Sequence, residues 1–131
     1  MVDGADPTEA FIVELDGRAI GFVQRYLLDD YPDWSTAVGV QRAAGIDYLI
    51  GVAALTGVGL GPVIVDAFTT STFERYGEID HVAVAVQQTN RRSWRALEKA
   101  GYEQVFAGEI ESDDPSDAGP SYTYVRSRRP A

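Results

Sequence analysis

The sequence predicts a mixed α/β fold: a mostly antiparallel sheet, interrupted once by a central parallel β-α-β crossover and carrying two main helices. Three observations point there. Asp16-Gly17 divides FIVELDGRAIGFVQRYLL into two alternating runs, and that dipeptide suits a two-residue hairpin turn. The apolar run IDYLIGVA passes through Gly57, Gly59 and Gly61 into a helical pattern, and a second apolar run, HVAVAV, follows. Finally, NRRSWRALEKAG opens on a helix-capping asparagine and closes on a glycine, with two more alternating runs behind it.

Taken in order, strands are expected at about 11–15 and 19–28. From Asp29 to Gly45 the periodicity disappears, and Pro32, Asp33, Trp34 and Ser35 read as a long surface loop, a feature that is usually functional or disordered. Trp34 there is either partly exposed or folded over a pocket. Residues 46–53 read as a central buried strand. Leu60, Val63, Ile64, Ala67 and Phe68 fall at helical spacing, with Pro62 suited to the first turn. The Thr69-Thr70-Ser71-Thr72 run is weak for helix, and Gly77 is the expected stop. A buried strand at 81–86, a helix from Asn90 with Gly101 just past its end, and strands in YEQVFAGEI and SYTYVRS complete the order. The β-α-β unit should cross over in the right-handed sense that such units adopt.

Size and charge limit the function. The chain's 131 residues suffice for one core, so residues 1–131 are expected to form a single domain. A net charge of −9 disfavours a nucleic-acid backbone, whose counterion-release binding needs a basic face, and favours a cationic ligand. Part of that charge lies in one loop, GEIESDDPSD, and a plain solubilising surface explains it equally well. No apolar run reaches the ~20 residues of a membrane helix, so no membrane is expected as a partner. The absence of cysteine excludes thiolate nucleophiles and thiolate metal sites and fits a cytoplasmic address.

A strand that feeds through glycines into a helix N-terminus is suited to an anion, because free amides and the helix dipole face the turn. Neither familiar nucleotide loop fits. A P-loop needs Gly-Lys-Ser/Thr where this chain has Leu60-Gly61-Pro62, and a dinucleotide turn needs G-x-G-x-x-G where it has GVGLGP. A tight turn of purely structural purpose remains the alternative from this segment alone.

The glycine turn and the asparagine-led helix together resemble the GNAT acetyltransferase superfamily. Its acyl-CoA motif is a strand, then Q/R-x-x-G-x-G/A, then a helix; its next motif is an asparagine-led helix ending in K-x-G-F or K-A-G-F/Y. Here these are TGVGLG (56–61) and N…EKAGYE (90–103). AIGFVQRY, GIDYLI and the GP…Y of 119–124 are similar to segments of the aminoglycoside 6′-N-acetyltransferase branch. The resemblance implies acetyl-CoA as co-substrate and a cationic primary amine as acceptor. It places the pyrophosphate on the amides around Gly57, Val58, Gly59, Leu60 and Gly61, and the pantetheine arm along Ile50, Gly51 and Val52, with Asn90 touching the same arm or serving only as a helix cap. Asp47 matches the branch's GID aspartate, which implies a base or an amine-orienting carboxylate. Gln24, Tyr26, Asp33, Trp34 and Asp117 are the expected acceptor contacts.

Three departures accompany the resemblance. Thr56 replaces a Gln or Arg. The tyrosine that many relatives use on the leaving thiol falls on Leu97, and an acidic residue of the preceding strand falls on Ala85, so either water protonates the thiolate, or Tyr102 or another group substitutes, or catalysis is weak. Relatives also begin with a strand and two helices, whereas about ten residues precede Phe11 here; the apolar surface this exposes favours a homodimer. A non-catalytic acyl-CoA-binding module and the acylation of a siderophore-type amine are the competing readings.

Overall fold

The computed structural model describes residues 7–50, 59–110 and 119–128. Six strands form one sheet in the order β1-β2-β3-β4-β6-β5. They are β1 (Glu9–Leu15), β2 (Arg18–Leu27), β3 (Ala43–Ile50), β4 (His81–Gln87), β5 (Glu103–Ile110) and β6 (Gly119–Ser127). Every neighbouring pair is antiparallel except β3 and β4. Asp16 and Gly17 both adopt left-handed φ, 53° and 79°, as the predicted hairpin turn requires.

Among the described residues three α-helices accompany the sheet: α1 (Pro32–Val38), α2 (Leu60–Arg75) and α3 (Arg91–Lys99). The first corrects the expectation of a long surface loop. Pro32 occupies its first turn with Asp33 beside it, and Gly39 ends it in the left-handed region at φ 76°. Val38 is buried there with Tyr26, Leu28, Ala43 and Ala83, and Trp34 packs against this cluster. Seven residues are too few to show a helical period, and tertiary packing decides the conformation. The threonine-rich stretch likewise stays helical to Arg75. Thr69 and Thr72 are fully buried; Thr72 Oγ1 donates to the Phe68 carbonyl, and Thr69 shares a hydrogen bond with the Tyr102 hydroxyl.

The main core lies between the sheet and α2 and α3. Alternate residues Val82, Val84 and Val86 of β4 meet Val65 and Phe73 of α2, Leu97 of α3 and Tyr124 of β6. Ala83, pointing the other way, joins the α1 cluster. β4 is thus buried on both faces, which explains its near-continuous apolar sequence. At α3 the predicted ends hold: the Asn90 side chain accepts from the Ser93 amide, and Gly101 sits at φ 91° after the last turn. Among the described residues no helix is long and apolar enough to cross a membrane.

Candidate active site

The parallel ladder between β3 and β4 is short. It pairs Ala43 with His81, Ala44 with Val82 and Gly45 with Ala83, and then stops. Beyond Gly45, β3 continues on β2 and β4 continues on β6, so the two strands separate and their inner edges open onto a wedge. A cavity of about 200 Å³ occupies it, lined from β3 by Asp47 and Tyr48, from β4 by Val84, Ala85, Val86 and Gln87, and from elsewhere by Trp34, Asn90, Ser93 and Ser121.

The alternation of a strand gives this lining its meaning. Ala43 and Gly45 face the α1 side, whereas Ala44 and Ile46 face α2 and α3. Asp47 therefore projects to the α1 side and Tyr48 to the helix side. One cavity touches both, so it runs through the plane of the sheet. Only separated strands permit that.

On the α1 side, Gln24 stands opposite Asp47 in the ladder, and its Nε2 donates to Asp47 Oδ2 at 2.8 Å. Asp47 itself is exposed to solvent. Trp34 closes one flank, held by its Nε1 donating to the Tyr26 hydroxyl at 3.0 Å. The Tyr26 ring lies across Gly45: a Cβ there would sit 2.5 Å from the ring, which is why this position of the GID segment must be glycine. Tyr26, Gln24, Trp34 and Asp47 thus form one assembly, but Tyr26 is buried and supports Trp34 from behind rather than lining the cavity. Asp33 is exposed on the first turn of α1 and takes no part in the lining. Asp117 lies outside the described residues, as do Gly51, Val52, Gly57 and Val58.

On the helix side, Tyr48 Oη lies 2.6 Å from Ser93 Oγ and 3.3 Å from the Ser93 carbonyl. Burial is the main reason its hydroxyl is pushed up to about 12; the Ser93 hydrogen bond opposes the rise and the Asp47 charge adds to it. The hydroxyl is consequently protonated at any ordinary working pH. Tyr48 and Ser93 carry no motif that sequence reading could have caught, since a tyrosine in an apolar strand reads as core. Asn90 lines the cavity and caps α3 at once. Gly59 takes φ 80° immediately before α2, a conformation natural to glycine, and Leu60 and Gly61 open the helix.

The remaining expectations sort cleanly. Leu97 is fully buried in the core, and Ala85 presents only a methyl group to the cavity. Tyr102 is buried and bonded to Thr69 behind α2, which removes it as a proton source for the wedge. His81 begins β4 and meets the Gln41 carbonyl through Nδ1, a structural contact. A larger groove of about 790 Å³ crosses the far side between α2, the end of α3 and β6. Its arginines are engaged structurally: Arg126 with Asp66 and the Ala100 carbonyl, Arg128 with the carbonyls of Phe73, Tyr76 and Ile79. It holds no arrangement comparable to Asp47 and Tyr48. Among the described residues no group of three or more His, Asp or Glu side chains could hold a metal ion.

The model of the acetyltransferase (GNAT) domain matches residues 1–110. The chain belongs to the GNAT acetyltransferase family. Solved structures similar to this GNAT chain include the aminoglycoside acetyltransferase AAC(6')-Ib in complex with coenzyme A, at 26% identity and a TM-score of 0.71, covering 93% of this chain and 67% of that one. The same enzyme with ribostamycin and coenzyme A matches at 26% identity and a TM-score of 0.71, covering 93% and 65%. A spermidine N-acetyltransferase of Vibrio cholerae, at 14% identity and a TM-score of 0.71, covers 95% and 68% and shares the fold. The chain spans about two-thirds of the length of these proteins. No curated relative matches by sequence.

Proposed function

We propose that the protein is an acetyl-CoA-dependent N-acetyltransferase that modifies a primary amine of a cationic, aminoglycoside-like small molecule. One observation carries the reading: a cavity that passes through the sheet between two separated parallel strands, with a carboxylate on one side and a neutral hydroxyl on the other. An extended amide-bearing arm lies naturally along a strand edge that its neighbour has left, in the manner of an added strand. Ile50, Gly51 and Val52 would provide that edge, the turn from Gly57 to Gly61 would hold the pyrophosphate on its amides, and Asn90 would meet the arm from α3. Coenzyme A in the AAC(6')-Ib structures supports this assignment.

Acetyl transfer needs the acceptor nitrogen deprotonated and aimed at the thioester carbonyl. Asp47 is the group for both tasks. Gln24 fixes its carboxylate, Trp34 supplies an apolar wall, and the chain's net charge of −9 draws a cation towards it. Asp33 and Asp117 are outer contacts on this reading. Across the α1 face, Ile12, Phe22 and Leu49 form a cross-strand apolar row, with Ile12 63% and Leu49 67% exposed. A second copy of the chain is proposed to cover that row, and sedimentation tests it: a strictly monomeric profile removes the homodimer.

Titration with acetyl-CoA by heat release, followed by thiol-release assays on aminoglycosides, polyamines and hydroxylysine-type amines, tests the main proposal. Binding and turnover on an aminoglycoside are expected, and the gene should then raise the drug concentration a host tolerates. Binding without turnover on any amine would leave a non-catalytic acyl-CoA-binding module, the reading that buried Leu97 and Ala85 favour. No binding removes both.

A further inference from the structure

Breaking a thioester leaves a thiolate that must receive a proton, and the positions that would supply one by resemblance do not. Among the described residues that line the wedge, the titratable side chains are Asp47 and Tyr48. Asp47, on the amine side, is an acceptor when ionised. Tyr48 reaches the cavity from the opposite face of the same strand, and its oxygen is within hydrogen-bond distance of the Ser93 hydroxyl on the first turn of α3.

Resting on the proposed acetyl transfer, we propose that Tyr48 is the acid of the reaction, giving its proton to the departing sulfur while Ser93 donates to the phenol oxygen. The step balances without any further reactant. The amine nitrogen forms its bond to the carbonyl carbon, the carbon–sulfur bond breaks, and the electron pair stays on sulfur. The Tyr48 proton passes to that sulfur. The proton shed by the amine goes to Asp47 or its water and returns to the Tyr48 oxygen, closing the cycle with an amide and a free thiol.

Two features beyond proximity support this. Adjacent residues of one strand project to opposite faces, so Asp47 and Tyr48 approach a group lying between the strands from its two sides, as removal of one proton and delivery of another require. Tyr48 Oη has the Ser93 carbonyl as a weak acceptor at 3.3 Å, which leaves the 2.6 Å contact free to run from the Ser93 hydroxyl to the phenol oxygen; in that sense it stabilises the phenolate as it forms and opposes the effect of burial on the same group.

The test compares the unsubstituted protein with Tyr48→Phe and Ser93→Ala, reading both turnover and the thiol pKa of bound coenzyme A by thiolate absorbance. Tyr48→Phe should lower kcat about 100-fold with little change in KM for acetyl-CoA, and Ser93→Ala about tenfold. Wild-type protein should lower the bound thiol's pKa by about one unit, and Tyr48→Phe should abolish that shift. Should Tyr48→Phe fold poorly, a ring-polyfluorinated tyrosine at position 48 keeps the packing and should bring the basic limb of the kcat profile down into the accessible pH range. Unchanged kcat together with an unchanged bound-thiol pKa in Tyr48→Phe, or a basic limb that ignores fluorination, overturns the proposal. Failure of wild-type protein to bind coenzyme A is a different result and sinks the functional reading itself.

Discussion

The sheet has two halves of three strands each, and they are built to different standards. In β4-β6-β5 the two inner strands are closed: Val82, Thr123 and Tyr124 are essentially without solvent exposure, α2 and α3 cover one face, and the exposed Val105 and Phe106 lie on the edge strand β5. In β1-β2-β3 the face towards α1 is open, leaving Ile12 and Leu49 exposed and Asp47 in contact with solvent. The closed half fixes one wall of the wedge through backbone ladder and core. The open half presents the side chains that would meet an acceptor. Rigidity and chemistry are thus placed on opposite sides of the same gap, so substitutions in the two halves should read out in different assays.

The sharpest test of that division is Asp47→Asn. On the proposed mechanism it should reduce turnover by about 1,000-fold, while the melting temperature and acetyl-CoA binding stay near wild type. A comparable loss of cofactor affinity would mean that the open half also builds the wall. Next comes Gly45→Ala, where the new methyl group meets the Tyr26 ring. Relief requires the ring and its bond to Trp34 to move, so denaturant unfolding should show a loss of about 2 kcal/mol, with altered Trp34 fluorescence.

Smaller effects probe the closed half and the outer edge. Thr123 Oγ1 is buried with no hydrogen-bond partner among the described residues, so Thr123→Val should stabilise the protein by about 1 kcal/mol without touching activity. Glu9 on β1 is the mildest case. Burial alone would raise its carboxyl, but hydrogen bonds from Arg25 and then Arg75, with their charges, outweigh it and hold the group below its ordinary 4.5. A depressed folded pKa contributes stability above the unfolded value that is lost as pH falls through the folded one. Glu9→Gln should therefore cost about 0.5 kcal/mol near neutrality, since Glu9 is itself partly solvated and Arg75 exposed although Arg25 is buried, and nothing in acid. Unfolding curves at the two pH values check the sign.

What could be read from the sequence follows the same split between backbone and side chain. The Asp16-Gly17 turn, the Asn90 cap and Gly101 are local rules, each decided by a few residues, and all three hold in the structure. The order of strands was legible because β4 is apolar throughout and the edge strands alternate. Helix α1 was hidden, since its seven residues draw their stability from Trp34 and Val38 packing on distant strands. The threonines of α2 read as helix-weak, and their burial against Tyr102 reverses that preference. In the candidate site, resemblance named Asp47, Trp34 and Asn90, which line one cavity, and Gln24, which bonds to Asp47. Tyr48 and Ser93 were not named, because their pairing joins β3 to α3 over 45 positions and no local pattern encodes it.

The brevity of the β3-β4 ladder has a mechanical consequence. Each half of the sheet is stiffened by antiparallel ladders such as the seven pairs of β2 with β3 and the seven of β4 with β6, whereas among the described residues the halves are joined to each other by three. Such a plate is compliant at one line and stiff elsewhere, so bending loads concentrate at Ala43–Gly45 and His81–Ala83. Anything laid along the open edges acts as a brace across that line, and its grip on the two strands sets how firmly the carboxylate of one half is held against the other.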